Sequence, residues 1–426
     1  MGTQAGLSFE QAPPFSLPLL FFLTAPLFLL AAALLILVAP ESLASRWTPQ
    51  ALALTHAITL GFLAMAMLGA LMQMLPVVAG ATLPAPRTVA WLAQLPLALG
   101  TVSLMAGFLT ARPAAYAIAS VLLGGGFAVF LVAAAISLVR ATSNATVWGM
   151  RLAVLSLGLT WMPGLALALM RAHVWALPAS AAVLAAHLAF GLLGWVFLLV
   201  VGVAFQVVPM FQMTPRYPPL LSRWIAPVLF VLLLVHAIVP WLPPAAATLV
   251  NAGLAAGVLL FAVVTLRLQW GRRRKLPDVT LDFWRLAMAS LIACAMVWLA
   301  AQIWPGVAGS ARYPLLLAVL FMGGFGVSVV NGMLYKIVPF LAWFHLQAQL
   351  QARAGSIPTM KNMIVERRTR WQFRLHLAAV GLLVVSLFWP PLTGAGGLVL
   401  ALSALLLGFN LLSAVRRFSR HGGRLR

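Results

Sequence analysis

Apolar runs long enough to cross a bilayer follow one another along almost the whole chain, near residues 15–39, 52–79, 88–110, 114–139, 147–170, 179–210, 222–241, 245–268, 283–304, 313–341, 373–390 and 393–415. A hydrocarbon core is spanned by about twenty such residues. It offers no water to backbone amides, so each run is expected to close its hydrogen bonds within itself as a helix. Only 8% of the 426 residues are charged and 63% are hydrophobic. Soluble domains carry about 25% charged residues, so this chain could not cover a water-facing surface. The expected class is an all-α polytopic membrane protein of about twelve transmembrane helices. The first run is too long for a signal-peptide core and lacks a small-residue cleavage site, so it reads as a retained helix.

A motif recurs inside these runs. Gly69, Gln73 and Pro76 are matched by Gly202, Gln206 and Pro209 and by Gly332, Lys336 and Pro339, the glycines being 133 and 130 residues apart. A period this long points to one unit built three times, here about 15–140, 147–268 and 283–415, within a single transmembrane domain spanning 1–426. The motif falls on the second helix of each four. Each proline frees the carbonyl four residues earlier, those of Met72, Phe205 and Tyr335, and Gln73, Gln206 or Lys336 stands close enough in sequence to donate to it. Each glycine lets a second helix, or a flat cofactor, approach the backbone. Lys336 either snorkels to the inner face or lines a polar path with Asn331 and Tyr335.

The formal charge of +22 is unevenly placed. With the N-terminus inside, the inner connections hold Arg87, Arg140, Arg151, Arg216, Arg223, Arg267, the cluster 272–275, Arg285, Arg353, Lys361, Arg367, Arg368, Arg370, Arg374 and the tail arginines. The outer ones hold Arg46, Arg112, Arg171 and Arg312. This is the positive-inside pattern of a bacterial inner-membrane protein with both termini cytoplasmic. It makes anionic lipid headgroups the expected partner of that face and argues against nucleic acid. The polar connection 346–371 is the segment best placed to meet a partner membrane subunit or electron donor.

Chemistry is sparse. Cys294 is the single cysteine, and Glu10, Glu41, Asp278, Asp282 and Glu366 are the only acids, all at helix ends or in loops. No carboxylate is expected in mid-membrane, which argues against a proton-driven pump or transporter. Met65, Met67, Met72 and Met74 would suit Cu(I), but they spread around their helix as packing residues do. Intramembrane histidines are functional candidates by default. His56 and His187 begin equivalent helices, with His173 and His236 also toward the outer side and His345 and His376 near the cytoplasmic face. His56 lies 13 residues before its glycine and His187 lies 15. On continuous α-helices that offset turns them about 200° apart, toward different interhelical spaces.

The run from His56 through Gly61-Phe62 to Gln73-Met-Leu-Pro76, with His187 at a comparable place, resembles the haem–copper oxidase catalytic subunit superfamily. A more distant likeness is to the nitric-oxide-response haem–copper membrane proteins. The resemblance covers nearly the whole length and implies twelve helices in a pseudo-threefold array. It further implies a haem ligand at His56 and metal ligands at His187 and His236, with haem and copper as cofactors. It departs from the family in three places: no histidine lies within 315–339, Gly191 stands where the family's helix six has tyrosine, and a histidine pair is missing beside His236. What it implies is therefore a haem- or copper-binding protein of respiratory redox, nitric-oxide or metal handling, short of a complete terminal oxidase. A single histidine on haem would leave a position open to a gas ligand. The alternative is a cofactor-free permease or assembly partner on the same scaffold.

Overall fold

The computed structural model describes residues 11–176, 180–273, 276–350 and 357–425. Glu10, Arg274, Lys275 and Arg353, named above, lie outside them. Among the described residues there are twelve long helices and no strand. They are α1 (Ser16–Val38), α2 (Pro49–Ala79), α3 (Pro86–Thr110), α4 (Pro113–Arg140), α5 (Ala145–Arg171), α6 (Ser180–Gln212), α7 (Pro219–Ala237), α8 (Pro244–Trp270), α9 (Val279–Ile303), α10 (Arg312–Leu350), α11 (Glu366–Ser386) and α12 (Thr393–Arg420). Eleven are long and apolar enough to cross a membrane, and the chain is a multi-pass membrane protein. The exception is α11, which starts seven residues earlier than the apolar run and takes in Glu366, Arg367, Arg368 and Arg370.

Local signals set the helix starts. Proline occupies the first turn of α2, α3, α4, α7 and α8, where its missing N–H costs nothing. Thr48, Asn144 and Asp278 cap α2, α5 and α9 through side-chain oxygens, satisfying amides that would otherwise be orphaned. Gly80 ends α2 at φ 61°, a left-handed turn that glycine adopts without strain.

The inner helices are α2, α6 and α10. In their most apolar stretches 83%, 67% and 61% of residues are buried, against at most 50% elsewhere. Each carries a π-helical segment, Ala57–Ala64, Phe190–Phe197 and Val319–Val327, starting 12, 12 and 13 residues before its motif glycine. The glycines have one job in all three. A Cβ on Gly69 would lie 2.7 Å from Phe21 of α1, on Gly202 2.8 Å from the Gly149 backbone of α5, and on Gly332 2.9 Å from Phe283 of α9. Helix packing, not a flat cofactor, fills these faces.

Where the inner helices meet, a cavity of about 70 Å³ is walled by apolar side chains alone. Met67, Val200 and Val330 stand two residues before the three glycines, and Met74, Val207 and Ile337 five after them. The methionines of α2 are thus packing residues, Met65 and Met72 being fully buried. Around this centre, neighbouring helices are joined by polar pairs: Gln94 to Thr24, Gln269 to Gln212, Gln372 to Ser403 and Asn410 to Tyr335, at 2.9–3.0 Å.

Two expectations are corrected. No hydrogen bond joins Gln73, Gln206 or Lys336 to the carbonyls that the prolines free. The Gln73 carbonyl oxygen is itself buried without a partner. Lys336 does not join Tyr335; its ammonium donates to the Asp278 carboxylate at the start of α9 at 2.7 Å. His376 is fully buried, bonded to Ser328 at 2.8 Å. The early start of α11 sinks it ten residues, about 15 Å, below the helix end.

The glycine contacts predict that Gly202→Val, forced against backbone that cannot rotate away, lowers the thermal midpoint in detergent by an amount equivalent to about 1–3 kcal/mol. Gly125→Val on α4, where an added Cβ meets nothing within 4 Å, should leave the midpoint in place.

Candidate functional site

His56 and His187 are brought together. Their ring centroids are 6.4 Å apart with planes inclined by 21°. The expected turn of about two hundred degrees does not keep them in different interhelical spaces, because a register counted from each helix's own glycine says nothing of how the two helices are rotated about each other. A π segment follows His56 directly and another begins three residues after His187.

Each imidazole is held by one nitrogen. His56 Nδ1 donates to the Leu52 carbonyl at 2.8 Å, one turn back on its own helix. His187 Nδ1 donates to the Thr160 carbonyl of α5 at 3.0 Å. A carbonyl can only accept, so both protons sit on Nδ1 and both Nε2 atoms keep a lone pair. That tautomer is the one a metal needs. Both rings are half-buried. Phe108 of α3 stacks on His56 at 5.0 Å, and Tyr116 of α4 meets Phe108 edge-on at 5.5 Å. Gly164 of α5 makes the seat for His187: a Cβ there would lie 2.8 Å from Cε1 and 3.0 Å from Nδ1.

The donor set bears on which group could fit. Two imidazoles at this separation, each with one nitrogen unprotonated, are residues that could hold a haem iron or a copper ion. No group of three or more histidine, cysteine or acidic side chains able to hold a metal occurs among the described residues, so a closed tetrahedral zinc site does not fit.

The other candidates lie elsewhere. His236, on α7, sits beside Asn251 of α8 and makes no ring contact with the pair. His173 is an exposed turn residue at φ 59°, and His345 stacks on Phe15 at 5.7 Å. Cys294 points its thiol at the Leu317 carbonyl. Reading the sequence singled out the two histidines but missed Leu52, Phe108, Thr160 and Gly164. A carbonyl and a packed ring carry no sequence signal, though Thr160 and Gly164 flanking Pro163 mark a disturbed helix. No protein-family model matches this chain, and no curated protein is similar enough to count as a relative.

Gly164→Ala should drive His187 off the Thr160 carbonyl. In protein labelled with ¹⁵N-histidine, one of the hydrogen-bonded Nδ1–H signals is expected to disappear. Gly158→Ala on the same helix, facing open space, should leave both signals unchanged.

Proposed function

We propose that this chain is a redox protein of the bacterial inner membrane in which His56 and His187 hold one metal between them, as the iron of a haem or as copper. The observation that carries the reading is the pair itself: two imidazoles 6.4 Å apart, each with Nδ1 tied to a carbonyl and Nε2 free. When bound, a metal held by the two imidazoles would supply one-electron transfer. The protein's own contribution is to fix both tautomers and to wall the site with Phe108 and Tyr116. A partner membrane subunit or electron donor is then required to deliver or take the electron. Three four-helix units of haem–copper-oxidase-like fold, with both termini cytoplasmic, complete the reading. It is supported by the three π segments at matching distances from the motif glycines and by the matched walls of the central cavity.

Two observations favour the rival, a cofactor-free permease or assembly scaffold. The glycine faces of the inner helices are filled by side chains and backbone of α1, α5 and α9, and α10 offers no histidine beside its π segment.

Purified protein expressed with ample haem and copper decides between them. Optical spectra, oxidised and dithionite-reduced, together with metal analysis should give one haem or one copper per chain, lost in both His56→Ala and His187→Ala and retained in His236→Ala. A featureless spectrum with no bound metal would leave the scaffold reading standing.

A further inference from the structure

We infer that the amino end of α11 is a discrete binding site for one anionic phospholipid headgroup. A surface cavity of about 460 Å³ lies there, lined by Glu366, Arg367, Arg370, Trp371 and Arg374. Positions 367, 370, 371 and 374 fall at i, i+3, i+4 and i+7, one face of one helix. The charge of that face is largely uncompensated. Among the described residues only two ion pairs occur, Lys336 with Asp278 and Arg370 with Glu366, so Arg367 and Arg374 have no carboxylate of their own. The Arg374 guanidinium lies 5.0 Å above the Trp371 ring, which holds it at the rim. Val365 gives α11 no side-chain cap, so the first amides of the helix add their positive end to the cup.

Guanidinium groups converging on a concave surface suit a phosphodiester, whose oxygens they can bind in pairs. The Glu366 carboxylate, shared with Arg370, can accept from a hydroxyl of the same headgroup. A lipid fits better than a free phosphate because the face continues into apolar surface. Leu377, three residues beyond Arg374, is 45% exposed, and Val385, eleven residues beyond it on the same face, is 48% exposed. Acyl chains can lie along this stripe while the phosphate stays with the arginines. Half-exposed Trp371 lies among the arginines at the rim, in keeping with the gathering of aromatic residues at membrane interfaces.

The test is native mass spectrometry of the full chain from mixed phosphatidylglycerol and phosphatidylcholine micelles. One phosphatidylglycerol should remain per chain, and its retention should fall at least ten-fold in Arg367→Ala/Arg374→Ala. The charge-matched double variant Arg112→Ala/Arg171→Ala, altered at the far ends of α4 and α5, should keep it. Elution volume and helical circular dichroism establish that both variants are folded. Retention insensitive to Arg367 and Arg374, or equal for both lipids, would overturn the inference, since diffuse attraction would then suffice. Binding of inorganic phosphate in lipid-free detergent with displacement of the lipid, and loss of that binding in the first double variant, would overturn the lipid assignment in favour of a soluble anion.

Discussion

A carbonyl inside a bilayer has no water to bond, and that constraint shapes the three inner helices more than any side chain does. A proline and a π segment on one helix each leave backbone groups out of the ordinary ladder, and an unpaired group in hydrocarbon costs several kcal/mol. Internal prolines occur on other helices too, but among the described residues the π segments fall only on α2, α6 and α10, where helices surround the backbone. The motif glycines serve the same end. By admitting Phe21, Gly149 or Phe283 against the backbone, they remove the space in which a freed carbonyl would face lipid.

The histidine site adjoins this arrangement. His56 and His187 each stand close before a π segment, and the two rings share one space. The residues that fix the tautomers are main-chain carbonyls of Leu52 and Thr160, so the pair needs no acidic second partner. This accords with a chain whose few carboxylates stay at helix ends. Asp278, one of those few, both caps α9 and neutralises Lys336, so one carboxylate joins the start of one helix to the inner half of another.

Much of the architecture was legible from residues alone. The apolar runs anticipate the helices closely, because burial in lipid writes a pattern about twenty residues long that no local preference can disguise. The prolines and glycines marked the inner helices for the same reason, each being a backbone event with a residue type attached. What escaped was everything set by tertiary context. A π segment such as Phe190–Phe197 has no composition of its own. That Lys336 would pair with Asp278 was not readable, because the two are 58 residues apart and meet only where the start of α9 reaches α10. His376 looked peripheral because the arginines before it resemble a loop. They are instead the first turns of a helix that carries the imidazole inward to Ser328.

The dry cavity where α2, α6 and α10 meet carries an electrical consequence. Its wall of methionine, valine, leucine and other apolar groups offers an ion or a proton no ligand and no relay. A charge crossing an energised membrane exchanges about 2.3 kcal/mol per 100 mV, a gradient that any leak along the axis would dissipate. At the level of this cavity the meeting of the three helices is a barrier to charge and not a path for it.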